Sequence, residues 1–135
     1  MAAANRKAPR LGDAKFLLTD TRTVSASVIV YAGEMVGQDS SFEVAAADNN
    51  AGTVCLGVST KKVDNTDDGE YLDFISQAVH GMDQNGNITK AHIGDMAYVL
   101  DAASVEISGT TAVGPIVEVD SSFVYVDFDP ANRNI

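Results

Sequence analysis

The clearest signal along the chain is an alternation of apolar and polar positions with a period of two. In Val24-Ser25-Ala26-Ser27-Val28-Ile29-Val30-Tyr31, the side chains of Val24, Ala26, Val28 and Val30 share one face of an extended strand. Near the other end, Val124, Val126 and Phe128 point one way and Phe123, Tyr125 and Asp127 the other. Both segments read as half-buried strands. Phe123 and Tyr125 then become candidates for a subunit interface, with a place inside a barrel as the alternative. Further short candidates fall at 35–38, 42–46, 53–59, 71–79, 96–100, 104–108 and 115–120, separated by clusters of Gly, Asn, Asp and Ser. That spacing predicts an all-β fold, a small barrel or sandwich of short strands.

Two polar clusters, Asp48-Asn49-Asn50-Ala51-Gly52 and Asp83-Gln84-Asn85-Gly86-Asn87, read as chain reversals, because Asn and Gly tolerate the positive φ of tight turns. Asn85-Gly86 is the one strong hairpin signal. The best helical candidate, Ile88 to His92, is one turn long before Gly94, which argues against an enzyme of the alternating strand–helix type. An internal echo is present as well. Ala32-Gly33-Glu34-Met35-Val36 returns as Ile93-Gly94-Asp95-Met96-Ala97, 61 residues later, with Gly33 and Gly94 as the turn positions. Each copy precedes a Val/Ile-rich strand, at Cys55-Leu56-Gly57-Val58 and at Pro115-Ile116-Val117. Two related half-barrels would produce this echo; so would two strand starts that merely look alike.

Composition strengthens the β assignment: valine occurs 16 times and leucine 6 times, and β-branched side chains sit more comfortably on strands than on helices. With 135 residues there is room for one ordinary domain. Charge divides the chain. Residues 1–22 carry Arg6, Lys7, Arg10, Lys15 and Arg22 against Asp13 and Asp20, a net of +3, while the remaining residues carry a net of −13. The expected organisation is a flexible basic arm, 1–22, on a single acidic β domain, 23–135. A body of that sign is unsuited to neutralising phosphates, so nucleic acid is not the expected partner. No apolar run approaches the length of a spanning helix and no signal peptide is recognisable, so a membrane is not expected either.

Motifs for chemistry are sparse. The acidic run Asp64-Asn65-Thr66-Asp67-Asp68-Gly69-Glu70 places Gly69 at the sixth position of a calcium loop, but Thr66 and Ile75 occupy its third and twelfth. A solvated loop is the simpler reading, with a weak ion site as the alternative. His80 and His92 lack partners at metal-ligand spacing, and Cys55, the only cysteine, sits in the apolar run Val54-Cys55-Leu56 as a small core residue would. No nucleophile elbow, zinc-protease signature or phosphate-binding glycine loop occurs. No enzyme, cofactor or metal is expected.

The order Ala32-Gly33-Glu34-Met35-Val36, Cys55-Leu56-Gly57-Val58, Gly69-Glu70, Ala78-Val79-His80-Gly81 and Ile93-Gly94-Asp95-Met96-Ala97-Tyr98-Val99 resembles the capsid cement, or head decoration, proteins of tailed bacteriophages. The resemblance spans residues 32–128; the basic N-terminal segment departs from it. It implies a non-catalytic β protein on the outer surface of the virion's expanded head, made in the host cytoplasm. Its partners would be the major capsid protein and neighbouring copies of itself, commonly as trimers at three-fold positions. Arg6, Lys7, Arg10 and Lys15 would then face carboxylates on the shell or on an adjacent copy. Another structural virion part, such as a tail or fibre adaptor, is the alternative.

Overall fold

Backbone amides of short, valine-rich segments must find partners across strands. In the computed structural model of the chain they do so in two successive units of five strands each. The structure describes residues 19–24, 28–39, 43–49, 54–66, 71–75 and 78–128. The first unit contains β1 (Thr19–Thr23), β3 (Met35–Gln38), β4 (Val44–Ala46), β5 (Val54–Ser59) and β7 (Tyr71–Ile75), with the short ribbon β2 (Ile29–Val30) and β6 (Val63–Asp64) beside them. The second contains β8 (Val79–Gln84), β9 (Met96–Asp101), β10 (Ser104–Glu106), β11 (Ala112–Val119) and β12 (Val124–Asp127). A single 3-10 turn, Lys90–His92, lies between β8 and β9.

The second unit is a closed barrel in which neighbours follow the order β8, β12, β11, β9, β10, and the parallel pair β10/β8 completes the circle. The first unit has the same order, β1, β7, β5, β3, β4. Its closing seam is a single parallel bridge, Val24 to Val44. The counterpart in the second unit is Val105 opposite Gln84.

Registers agree residue by residue. Gly37 faces Ala45 and Gln38 faces Val44, just as Tyr98 faces Glu106 and Val99 faces Val105. Met35 faces Val58 and Val36 faces Gly57, just as Met96 faces Pro115 and Ala97 faces Gly114. After these pairs both units carry a β-bulge at the same place, so that Gly37 meets Cys55 and Tyr98 meets Ala112. The turns match too. Gly33 (φ 83°) donates its N–H to the Ser59 carbonyl and Ser59 donates to Glu34; Gly94 (φ 97°) donates to Ile116 and Ile116 donates to Asp95. The echo of Gly-acid-Met therefore marks a structural duplication. It relates two complete five-stranded units rather than two half-barrels, and Gly57 corresponds to Gly114, which shifts the pairing read from sequence by a few residues.

Alternation decides what each unit buries. Val24, Val30, Val36, Val44 and Val63 form the interior of the first unit, with Val28 and Leu56 packed on it. The larger core joins the barrel interior, including Val99, Val105, Val113, Ile116, Val124, Val126 and Phe128, to Met35, Ala47, Cys55 and Val58 from the outer face of the first unit. The second unit thus covers that face, and both belong to one packed body.

Several sequence expectations are corrected in detail. Strand β1 begins at Thr19 and pairs with β7 along its length, so the last four residues of the segment read as an arm belong to a sheet. Of the candidate 24–31, residues 25–27 lie outside the described part, and the described residues contribute the bridge at Val24 and the two residues of β2. The candidate 71–79 divides into β7 and the start of β8. Asn85-Gly86 does form a turn, with φ 98° at Gly86, but it joins no hairpin: β8 lies between β12 and β10, away from β9. The cluster after β4 is likewise a crossover, since β4 and β5 both pair antiparallel to β3.

Candidate functional site

The chemistry-bearing side chains are dispersed, and what the fold presents is a set of surfaces and tethers. Phe123 and Tyr125 stand outside the barrel: Val124 and Val126 between and beside them are fully buried, which turns both rings to the opposite side of β12. The rings lie 6.1 Å apart, tilted by 59°. Beside them Asp120 accepts the amides of Ser122 and Phe123, both at 2.8 Å, and this holds its carboxyl below the ordinary range. The Tyr125 phenol is pushed up, first by desolvation and then by its hydrogen bond to Asp120.

Next to this patch, Lys90 from the 3-10 turn reaches Glu118 on β11 at 2.8 Å. That contact, followed by the Val119 amide, lowers the Glu118 carboxyl. With both side chains solvated, the pair orients the turn more than it stabilises the fold. The turn itself is closed by a capping box, in which Thr89 Oγ1 accepts from Ala91 N–H and His92 Nδ1 accepts from Thr89 N–H at 2.9 Å. His92 is thereby engaged in local structure. His80 is buried on β8, its ring edge-on to Phe128 with centroids 5.4 Å apart.

Among the described residues, no group of three or more His, Cys, Asp or Glu is placed to hold a metal ion. Asp64 accepts both the amide and the hydroxyl of Thr66, which lowers its carboxyl, chiefly through the hydroxyl. This is a self-contained turn; residues 67–70 lie outside the described part. Cys55 is buried in the core. Lys62 lies 5.2 Å from the centre of the Tyr31 ring and packs on its aromatic face. The arm candidates Arg6, Lys7, Arg10 and Lys15 lie outside the described residues. Gly33, Gly94 and Gly86 hold the positive-φ turn positions, and Asn85 is exposed next to Gly86.

Three tethers escaped sequence reasoning. Asn49 Oδ1 accepts from Thr110 N–H at 2.6 Å and Thr111 N–H at 3.1 Å, fastening the first unit to the second. Met35 N–H donates to the Ala102 carbonyl at 2.7 Å across the same junction. Buried Asn65 donates its Nδ2 to the Val24 carbonyl at 2.9 Å, tying the ribbon to the seam of the first unit. Asparagine in a polar cluster reads as turn chemistry, and nothing local distinguishes an Asn that reaches across 61 positions in sequence. The chain matches no protein-family model, and no curated protein matches it.

Proposed function

We propose that the chain is a capsid decoration protein that binds the outer surface of the expanded head of a tailed bacteriophage and stabilises it without catalysis. The observation that carries this reading is the correspondence between the residues that resemble the cement proteins and the duplicated framework. Gly33-Glu34-Met35 and Gly94-Asp95-Met96 open β3 and β9, and Cys55-Leu56-Gly57-Val58 forms most of β5. Among the described residues, the segments that carry the resemblance are thus segments that build the duplicated framework.

The mechanism needs no reaction. A ligand that binds the expanded shell and not the immature one adds RT ln(1 + [L]/Kd) to the favoured state at each site. Many modest contacts with the major capsid protein, repeated over a lattice and shared with neighbouring copies at three-fold positions, are enough. The basic segment extends the contact towards carboxylates on the shell, with Arg6, Lys7, Arg10 and Lys15 as the pairing groups.

Co-sedimentation with expanded heads stripped of the protein and with unexpanded heads tests the reading. Saturable binding to the expanded form, in hundreds of copies, is expected. Absence of binding to either form overturns it, and occupancy confined to a single vertex or tail replaces it with the adaptor reading. Because β1 starts at Thr19, the informative truncation removes residues 2–18 and leaves the sheet intact. Its expected effect is weaker attachment with an unchanged melting transition. Undiminished occupancy would take the basic segment out of the mechanism.

A further inference from the structure

Asparagine is one of the thermolabile side chains, and the fate of its carboxamide depends on the residue that follows it and on what holds it. Eight asparagines occur in the chain, and glycine follows only one of them, Asn85. Gly86 has φ 98° and open space where a side chain would stand, so its α-carbon does not crowd the backbone nitrogen that joins the two residues. Asn85, Gly86 and Asn87 are all exposed. By contrast, Asn49 is fixed by the amides of Thr110 and Thr111, and Asn65 is buried and donates to the Val24 carbonyl.

The ends of this loop are held while its tip stands in solvent. Asp83 donates its N–H to the Ala103 carbonyl at 3.0 Å. The Gln84 side chain accepts the amide of buried Ile88 at 2.6 Å and donates to the Ile88 carbonyl at 2.9 Å. The tip between them faces Glu106 on β10, where Asn87 donates Nδ2 to Glu106 Oε2 at 3.0 Å. The Glu106 carboxyl is held below the ordinary range first by the Ile107 amide, then by Asn87, with a smaller contribution from the Asn85 carboxamide. Here the barrel closes, through two residue pairs, Ser104 opposite Asp83 and Val105 opposite Gln84.

We propose that Asn85-Gly86 is a self-modification site, at which the Gly86 backbone nitrogen attacks Asn85 Cγ and the carboxamide ends as a carboxylate facing Glu106. In the first step a bond forms between that nitrogen and Cγ and the Cγ–Nδ2 bond breaks. The proton given up by the Gly86 nitrogen leaves with Nδ2 as ammonia, and a cyclic imide remains. Water then adds to either imide carbonyl. Breaking the newly formed bond leaves an aspartate; breaking the original peptide bond leaves an isoaspartate, whose backbone runs through Cγ and is longer by one methylene. Water is the only co-reactant, and nothing is oxidised or reduced. Either product places a negative charge beside Glu106 at the closing seam, where like charges repel.

The test incubates purified full-length protein in mildly alkaline buffer and maps its proteolytic peptides by mass spectrometry, with a synthetic peptide spanning 80–90 as the unfolded reference. The folded protein is expected to convert at Asn85 before any other asparagine, to release ammonia and to yield both aspartate and isoaspartate. Conversion is expected to run faster as pH rises, because the attacking nitrogen must lose its proton. Gly86→Ala is expected to slow it at least about tenfold, since a methyl group on the adjoining α-carbon crowds the attack. An Asn85 that stays intact in the folded protein while the peptide converts overturns the proposal. Earlier conversion at another asparagine overturns it too, as does a Gly86→Ala protein that converts at the wild-type rate.

Discussion

Gly114→Ala puts the barrel under a load whose size follows from the geometry. A methyl group built on Gly114 falls 1.8 Å from the carbonyl oxygen of Asp127 and 3.0 Å from its carbon. An ordinary carbon–oxygen contact needs about 3.3 Å, so the two strands must separate by roughly 1.5 Å. Strand β12 has nowhere to go. It is paired on its other side with β8, Asp127 opposite Val79 and Val126 opposite His80, and Phe128 donates its amide to Ala78 at 3.0 Å. Val126 and Phe128, which flank Asp127, are fully buried, and a gap of even 0.5–1 Å forfeits about a quarter to a half of their dispersion contacts. The cost belongs at the upper end of overpacking, about 3 kcal/mol. For a chain of this length that lowers Tm by roughly 10–15 °C. Gly86→Ala is the matched control. Gly86 has φ 98° and open space around the added methyl, so only backbone strain remains, about 1–2 kcal/mol. Thermal and urea unfolding followed by circular dichroism measures both. A Gly114→Ala protein that melts within about 2 °C of wild type, or a larger loss for Gly86→Ala, would refute the argument.

Phe128→Ala removes the largest fully buried side chain among the described residues together with its edge contact to His80, and is expected to cost about 3–5 kcal/mol in urea unfolding, with Phe128→Leu costing much less. Asn49→Ala removes the acceptor for the Thr110 and Thr111 amides; a loss of about 1–2 kcal/mol and faster hydrogen exchange at those two amides are expected, while Asn49→Asp, which keeps the acceptor, retains the protection. Asp120 is held below the ordinary carboxylate range by the amides of Ser122 and Phe123, so its contribution is present above the unfolded pKa and is lost as pH falls through the lower folded value. Urea midpoints between about pH 5 and pH 2 should therefore fall less steeply for Asp120→Asn than for wild type, and parallel curves would exclude the contribution.

Strand class and most strand positions are legible in the chain itself, because a half-buried strand needs apolar side chains at every second position. The alternation of Val124, Val126 and Phe128 is read directly in this way, and Met35–Gln38 from its place between turn-forming clusters. Buried Cys55 follows from its apolar neighbours, and the short 3-10 turn from the brevity of its helical pattern. Strand β1 gives no such signal: Thr19–Thr23 alternates no apolar residues, and its place is set by pairing with β7, about 50 residues away. The division of 71–79 was hidden for a similar reason, since β7 and β8 pair with different neighbours.

The repeat shows where local information ends. Sequence reveals Gly-acid-Met twice, because the positive φ of these turns favours glycine, at Gly33 as at Gly94. Whether two such signals mark related units depends on strand order, register and the position of a bulge, all of which are relations between residues far apart. The same holds for Met35 and Met96, which have the same local setting and different burial. Composition and alternation determine that the chain builds β-sheet from outward and inward faces. Only tertiary packing decides which outward face is covered, because burial depends on what a neighbouring unit presents there.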